Sequence, residues 1–514
     1  MDAIELSIFS SRLNAVCEET GAVLQRAAFS PNIRDRLDFS CAVFDAKGEL
    51  CAQAAHIPVH LGSMAFAMRE IVERLDWHPG DMVILNDPFL GGTHLPDVTL
   101  IAPLFVEGKL VAFIANRAHH ADIGADSPGS MPLSRTLEEE GLVIPPTRLI
   151  VAGEMDEAQL QKIIGATRSG ESGQGDLAAQ ISANHSGLQR LRELIETLGS
   201  ATYQQGLVEL NDYAQRLATS ALTHIPEGEY AFSDVMDDDG LGQQDIRIQV
   251  RLTIKAGQVH ADFSGTAAQV AGNINCPLSV AAAAVYYVFR CLMPAQTPAC
   301  AGSFRPITLM APEGCLLNAR RPAAVAAGNV ETSTRVVDVV MGALARALPD
   351  RIPAASHGSM NNLAMGHDGR AGDQLGWDYY ETIGGGSGAG PERAGASAIQ
   401  TQMTNTRNTP LEVLETQYPL RLRRYAIRRG SGGRGALSGG DGLIREFEFL
   451  QPATITLLTE RRRHAPWGLN GGQPSKPGCN RLNGEPLAAK VNLEVKAGDI
   501  LTIKTPGGGG WGTP

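Results

Sequence analysis

The stretch LNDPFLGGTHLPDV, residues 85–98, crowds two Asp, one His, two Pro and two adjacent Gly into fourteen positions. Proline removes backbone donors and fixes φ, while glycine frees it, so neither a helix nor a regular strand runs through such a segment. On either side, residues 81–86 and 98–105 are short apolar runs rich in Val, Ile and Leu, bounded by turn residues, and read as strands. The segment is therefore a loop between strands, and it carries the side chains that bind metals or cap turns.

Working outward, KLVAFIANRAH (109–119) reads as a further strand. DFSCAVFDAKGELCAQA (38–54) reads as two short strands around a turn at Ala46, Lys47 and Gly48. Residues 3–28 place Leu6, Phe9, Leu13, Val16, Val23, Leu24 and Ala27 at helical spacing before AFSPN stops the pattern. The same period returns over 170–200 through Ile181, Leu188, Leu191, Leu194, Ile195 and Leu198, and continues to 222, where HIPEGEY breaks it. Beyond that boundary, IRIQVRLTIKAGQVHADFSG (246–265) alternates as a half-buried hairpin, and 279–292 and 334–348 read as helices. The last third is dominated by short strands, turns and glycine. The expected class is α+β, a multi-domain mixed α/β chain. Its expected divisions are an N-terminal domain at 1–222, a mixed α/β domain at 223–415 and a β-rich, Gly-rich region at 416–514.

At 514 residues the chain exceeds the roughly 250–300 at which one hydrophobic core stops growing. A net charge of −11 argues against a nucleic-acid partner. The two basic clusters, RLRRYAIRRG (421–430) and ERRRH (460–464), are then solvated strand edges or internal ion pairs. Eight cysteines without a CxxC pair argue against a disulfide framework and point to a reducing compartment. The N-terminus is acidic from its second residue and shows no signal-peptide pattern. The longest apolar run, 278–289, is shorter than the roughly 20 residues a membrane span needs. A cytoplasmic location is expected.

Gly430-Ser431-Gly432-Gly433-Arg434-Gly435 fits GxGxxG formally, but ALSGGDG after it cannot open the helix that a dinucleotide site requires. No GxxxxGK[ST] phosphate loop, GxSxG elbow or HExxH pair occurs. Histidines gather early: six of the twelve (His56, His60, His78, His94, His119, His120) lie in the first 120 residues. His94 and Asp97 of THLPD, His119 of RAHHAD and Asp38 of RLDFS form the sharpest set. By residue type they suit zinc, manganese or iron. Turn-capping Asp and hydrogen-bonded His would produce the same pattern, and spacing alone leaves both readings open.

Several unusual motifs occur together, in this order: HIPVHLGSM, NDPFLGGTHLPDVTLIAPLF, RAHHADIG, DFSGTAAQVAGNIN, GNVETSTRVVDVV, RRGSGGRGALSGGDGLIRE and TPGGGGWG. Together they resemble the hydantoinase B/oxoprolinase family, which includes N-methylhydantoinase B and the B half of 5-oxoprolinase and is related to acetone carboxylase alpha subunits. The resemblance runs nearly end to end. It implies a divalent metal, zinc first and manganese or iron next, on Asp38, His94, Asp97 and His119. It also implies a hetero-oligomer with a hydantoinase A-like ATPase, which uses ATP and Mg to phosphorylate the substrate.

The implied activity is hydrolysis of a cyclic amide, such as hydantoin, N-methylhydantoin, 5-oxoproline or a related lactam. An alpha-type subunit of an ATP-dependent ketone carboxylase and a non-catalytic, metal-stabilised scaffold for the ATPase are the alternatives. Two carboxylates would make a divalent centre nearly neutral and its water less acidic, which calls for a base nearby. His120 and Asp122, beside His119, and His60 of HIPVHLGSM are the candidates. The glycine runs 383–390 and 430–435 are read either as anion-cradling nests or as interface loops.

Overall fold

A computed structural model describes residues 1–514 apart from 55, 56, 169, 368 and 370–375, with the backbone alone at 61 and 171. His56, one of the clustered histidines, lies outside the described residues. The amphipathic run at the amino end is a helix over Ala3–Ala27, closed by a capping box in which Asp2 accepts from the Ile4 and Glu5 amides and Glu5 accepts from the Asp2 amide. It packs on the long helix Gly170–Leu198.

Both helices lie against a seven-stranded sheet. Its strands are β1 (Phe39–Asp45), β2 (Leu50–Gln53), β3 (Met82–Leu85), β4 (Asp97–Val106), β5 (Lys109–His119), β6 (Thr147–Val151) and β7 (Glu154–Met155). In space they run β2-β1-β5-β4-β3-β6-β7, all antiparallel. A helix over Pro58–Glu73, not assigned from the sequence, starts with proline in its first turn and packs on the helix Leu278–Arg290.

The middle of the chain builds a four-stranded sheet from Gly228–Asp238, Gln244–Lys255, Gln258–Asp262 and Ile307–Met310. The strand Gln244–Lys255 alternates buried and exposed side chains, as the hairpin reading requires. The helix Ser333–Ala347 covers this sheet. A further four-stranded sheet pairs Asn362–His367 and Trp377–Glu381 with Ala453–Leu458 and Lys490–Val495, so it takes strands from both sides of residue 416. It shares a core through Leu363, Tyr379, Ile455 and Leu457 with Phe447 and Leu501 of a five-stranded sheet. The mixed α/β class expected from the sequence is the class observed. No helix among the described residues is long and apolar enough to cross a membrane.

The glycine runs 383–390 and 430–440 join the run 507–510 in one backbone-bonded layer. Gly386 N donates to Pro506 O, Gly433 N to Gly508 O, Gly440 N to Ser387 O and Gly508 N to Gly440 O, at 2.9–3.1 Å. A Cβ on Gly439 would stand 1.9 Å from Gly508 O, and one on Gly508 the same distance from Ser387 O. These amides already have carbonyl partners, so the runs are neither anion nests nor loose loops at those positions. The basic clusters divide between the two readings offered for them. The strand Leu420–Arg428 is a sheet edge with exposed arginines, whereas Glu460 and Arg461 are buried in ion pairs with Arg335, Lys490, Asp234 and Asp338.

Candidate functional site

Strand order explains how residues far apart in sequence converge. Asp38 immediately precedes β1, His119 ends β5 and Asp97 begins β4, and these three strands are adjacent in the order β1-β5-β4. Asp97 and His119 are direct cross-strand partners, and the His119 amide donates to Asp38 O at 3.0 Å.

The loop 86–96 folds back onto the same sheet edge. Asn86 donates to Leu95 O and Leu142 O, each at 2.9 Å. Gly91 sits at φ +111°, and a Cβ on Gly92 would stand 2.3 Å from Asn86 O. Asp87 caps the short turn Pro88–Leu90 through the Phe89 amide and pairs with Arg321, so it serves the loop's shape.

Asp97 is the hub, fully buried. Its Oδ1 lies 3.1 Å from both His94 Nε2 and His119 Nδ1, and its Oδ2 lies 3.1 Å from His60 Nε2. Thr93 Oγ1 donates to Oδ2 at 2.6 Å and Asn329 Nδ2 at 3.3 Å. Burial pushes the Asp97 carboxyl upward, but the charges of His60 and His94 and hydrogen bonds from His119 and His60 hold it well below its ordinary range. For His94, burial favours the neutral ring and is outweighed by Asp97, so its pKa is raised. In His119 burial wins and the pKa falls.

The donor set fits a cation. The Nδ1–H of His94 faces the Ala326 carbonyl at 3.1 Å, which turns the Nε2 lone pair toward a carboxylate oxygen. Two such lone pairs at 3.1 Å repel unless a positive charge, a proton or a metal ion, lies between or beside them. His119 Nε2 is also buried without a hydrogen-bond partner. Ligand atoms of His94, Asp97 and His119 all lie within 4.8 Å of one another. Asp38 lines the same small cavity, outside that trio, and is 3.7 Å from Arg36.

Several contributors came from parts of the chain where local spacing gave no signal. A single π-helical turn, Gly328–Thr332, interrupts the entry to the helix Ser333–Ala347 and carries Asn329 to Asp97. The Tyr380 ring stacks on His119 at 4.5 Å and 16°, with the Arg36 guanidinium over its plane. Tyr380 Oη donates to Asn362 Oδ1 at 2.5 Å, and Asn362 Nδ2 donates to Glu331 Oε1 at 2.7 Å.

Of the three candidate bases, only His60 lines the Asp97 cavity; its Nδ1 is buried without a partner. His120 follows His119 and so points to the other face of the strand end, where its Nε2 meets Gln180 Oε1 at 2.8 Å. Asp122 accepts from the Gly124 amide at 2.8 Å and from Ser130 Oγ at 3.0 Å, and it pairs with Arg168. His120 and Asp122 line a separate small cavity.

A mixed α/β fold of four sheets, with a buried carboxylate at the hub of three histidines on one sheet edge, defines the class. The chain belongs to the hydantoinase B/oxoprolinase family, matching it over residues 2–514. It is 41% identical over 542 residues to 5-oxoprolinase 1 of Arabidopsis thaliana, covering 100% of this chain but 42% of that protein. The chain thus spans about two fifths of that relative's length. It is 31% identical over 540 residues to a putative D-/L-hydantoinase polypeptide of a Pseudomonas species, covering 100% of this chain and 90% of that protein. Its structure is similar to the ATP-dependent caprolactamase of Pseudomonas jessenii, with a TM-score of 0.93 and 27% identity over 100% of this chain and 92% of that one.

Proposed function

We propose that this chain is the catalytic subunit of an ATP-dependent cyclic-amide hydrolase, acting on a ring substrate that an ATPase partner phosphorylates. The observation that carries this reading is the buried convergence of His94, Asp97 and His119 on one point, in a chain whose relatives carry the names 5-oxoprolinase, hydantoinase and caprolactamase. The absence of a GxxxxGK[ST] loop from the sequence accords with ATP and Mg being handled by a hydantoinase A-like partner.

His94, Asp97 and His119 would hold a divalent ion, zinc first and manganese or iron next, with Asp38 as a fourth ligand after a small side-chain shift. When bound, that ion supplies Lewis acidity toward water or an acyl oxygen. Asp97 fixes three imidazoles at once. The Ala326 carbonyl holds the His94 proton on Nδ1, and Tyr380 keeps the His119 ring in plane.

His60, anchored to Asp97 through Nε2, has Nδ1 available to take and return a proton. A water oxygen adds to the activated acyl carbon and the C–N bond breaks with its electron pair going to nitrogen. The proton lost by the water reaches that nitrogen through His60.

The test is to purify the chain with its ATPase partner, measure bound metal, and follow ADP release with hydantoins, 5-oxoproline, caprolactam, and ketones plus bicarbonate. Lactam-dependent ADP release is expected. Release with ketone and bicarbonate alone would establish a carboxylase instead. A folded, partner-bound His94→Ala protein is expected to hold less than about a tenth of the wild-type metal and to lose turnover at least about a hundredfold; unchanged turnover would leave only a scaffold role.

A further inference from the structure

The cavity at Asp97 encloses only about 20 Å³, room for one ion or one water. A ring substrate must therefore be held from outside it. Two larger hollows adjoin the centre. One, of about 440 Å³, shares Thr404 with it; the other, of about 950 Å³, shares Thr406. The segment containing both threonines is the common wall.

We infer that the 440 Å³ hollow is the binding site for the substrate ring, a lactam or cyclic imide, and that Thr404 is the residue across which the ring meets the histidine centre. This rests on the hydrolase reading.

Three observations carry it. The volume suits a small ring with its substituents. Tyr286 and Phe304 stack at 4.6 Å and 19° to form a flat apolar wall, continued by Tyr287. The polar residues of the same hollow are left incomplete: Oε1 of Gln53, Gln400 and Gln402 and Nη1 of Arg290 are buried without hydrogen-bond partners. Such atoms cost free energy unless something satisfies them. Three amide oxygens accept and a guanidinium donates, which complements the N–H and C=O that a cyclic amide presents side by side.

Gln402 adds a sign of selection for position over stability. It sits at φ +58° and is held there by Nε2, which donates to Asp338 Oδ1 at 2.6 Å. The larger hollow differs in kind. Its rim is exposed and apolar at Ile399, Leu411 and Tyr425, and its buried Arg445 is already paired with Glu381 at 2.9 Å.

The deciding experiment compares Thr404→Trp, Ala299→Trp, Arg290→Gln and, on the other hollow, Leu411→Trp. Binding of hydantoin, 5-oxoproline and caprolactam to the chain is read by saturation-transfer NMR, and KM and kcat are read in the complex with the ATPase. Bound metal and thermal melting serve as checks. Thr404→Trp and Ala299→Trp are expected to weaken ring binding at least about tenfold with metal content unchanged. Arg290→Gln is expected to raise KM about tenfold with kcat within about twofold, as loss of a binding contact should. Leu411→Trp should change neither.

Ala299→Trp keeps the test decisive if Thr404→Trp does not fold. Wild-type protein that binds none of the three rings, unchanged binding in the filled variants, or a shift produced by Leu411→Trp instead would each overturn the assignment. Ring binding without lactam turnover in the wild-type complex would defeat the hydrolase reading while leaving the pocket in place.

Discussion

At the scale of single residues, what distinguishes His119 from His120 is one position along a strand. The sequence makes them look equivalent, and side-chain alternation sends one to Asp97 and the other to Gln180. Thr93 and Asn329 orient Asp97 without belonging to the ligand trio. Thr93→Val and Asn329→Ala are each expected to lower metal affinity about 10- to 100-fold, read by chelator competition, with little change in melting temperature.

Glu331 gives a pH signature. Burial, and then the charge of Glu460, pushes its carboxyl from 4.5 up to about 8. The folded protein thus keeps a proton that the unfolded chain releases. The stability this gives is complete below pH 4.5 and is lost as pH rises toward 8, by up to about 1.4 kcal/mol per pH unit. Glu331→Gln should flatten that slope in urea titrations from roughly pH 5 to roughly pH 9. His94 and Asp97 were readable as partners because they share one Pro/Gly loop, but Asn329 and Tyr380 were not, since only the folded topology brings positions so distant onto a β4–β5 edge.

Among elements, legibility follows periodicity. The helix Ala3–Ala27 announces itself by spacing and by the Asp2/Glu5 box. The helix Pro58–Glu73 does not, because it is apolar on nearly every side and buried between the first sheet and the helix Leu278–Arg290. Glycine runs are least legible of all, since a sequence of Gly specifies no partner. Their packing makes a sharp prediction. Gly508→Ala puts a Cβ 1.9 Å from Ser387 O and is expected to cost about 3 kcal/mol by urea unfolding. In contrast Gly165→Ala, in the exposed helix Glu157–Ala166 with nothing within 4 Å, should gain about 0.5–1 kcal/mol.

Across the whole molecule, the Asp97 centre is where distant segments are tied together: β4 and β5, the Ala326 carbonyl, the π-helical turn and Tyr380. A bound ion should therefore stabilise the entire fold. Chelation is expected to lower the melting temperature by the equivalent of about 2.7 kcal/mol for protein stored at a hundred times its metal Kd, and re-addition of metal should restore it.

The glycine layer bears on timing. Its first and last runs are bonded to each other yet separated by more than a hundred residues of chain, so the ladder at 384–390 has no partner until 507–510 has been synthesised. During translation the seven-stranded sheet can assemble early while this layer waits, which makes the glycine ladder the last seam to close and the place where an interrupted chain stays open to a protease.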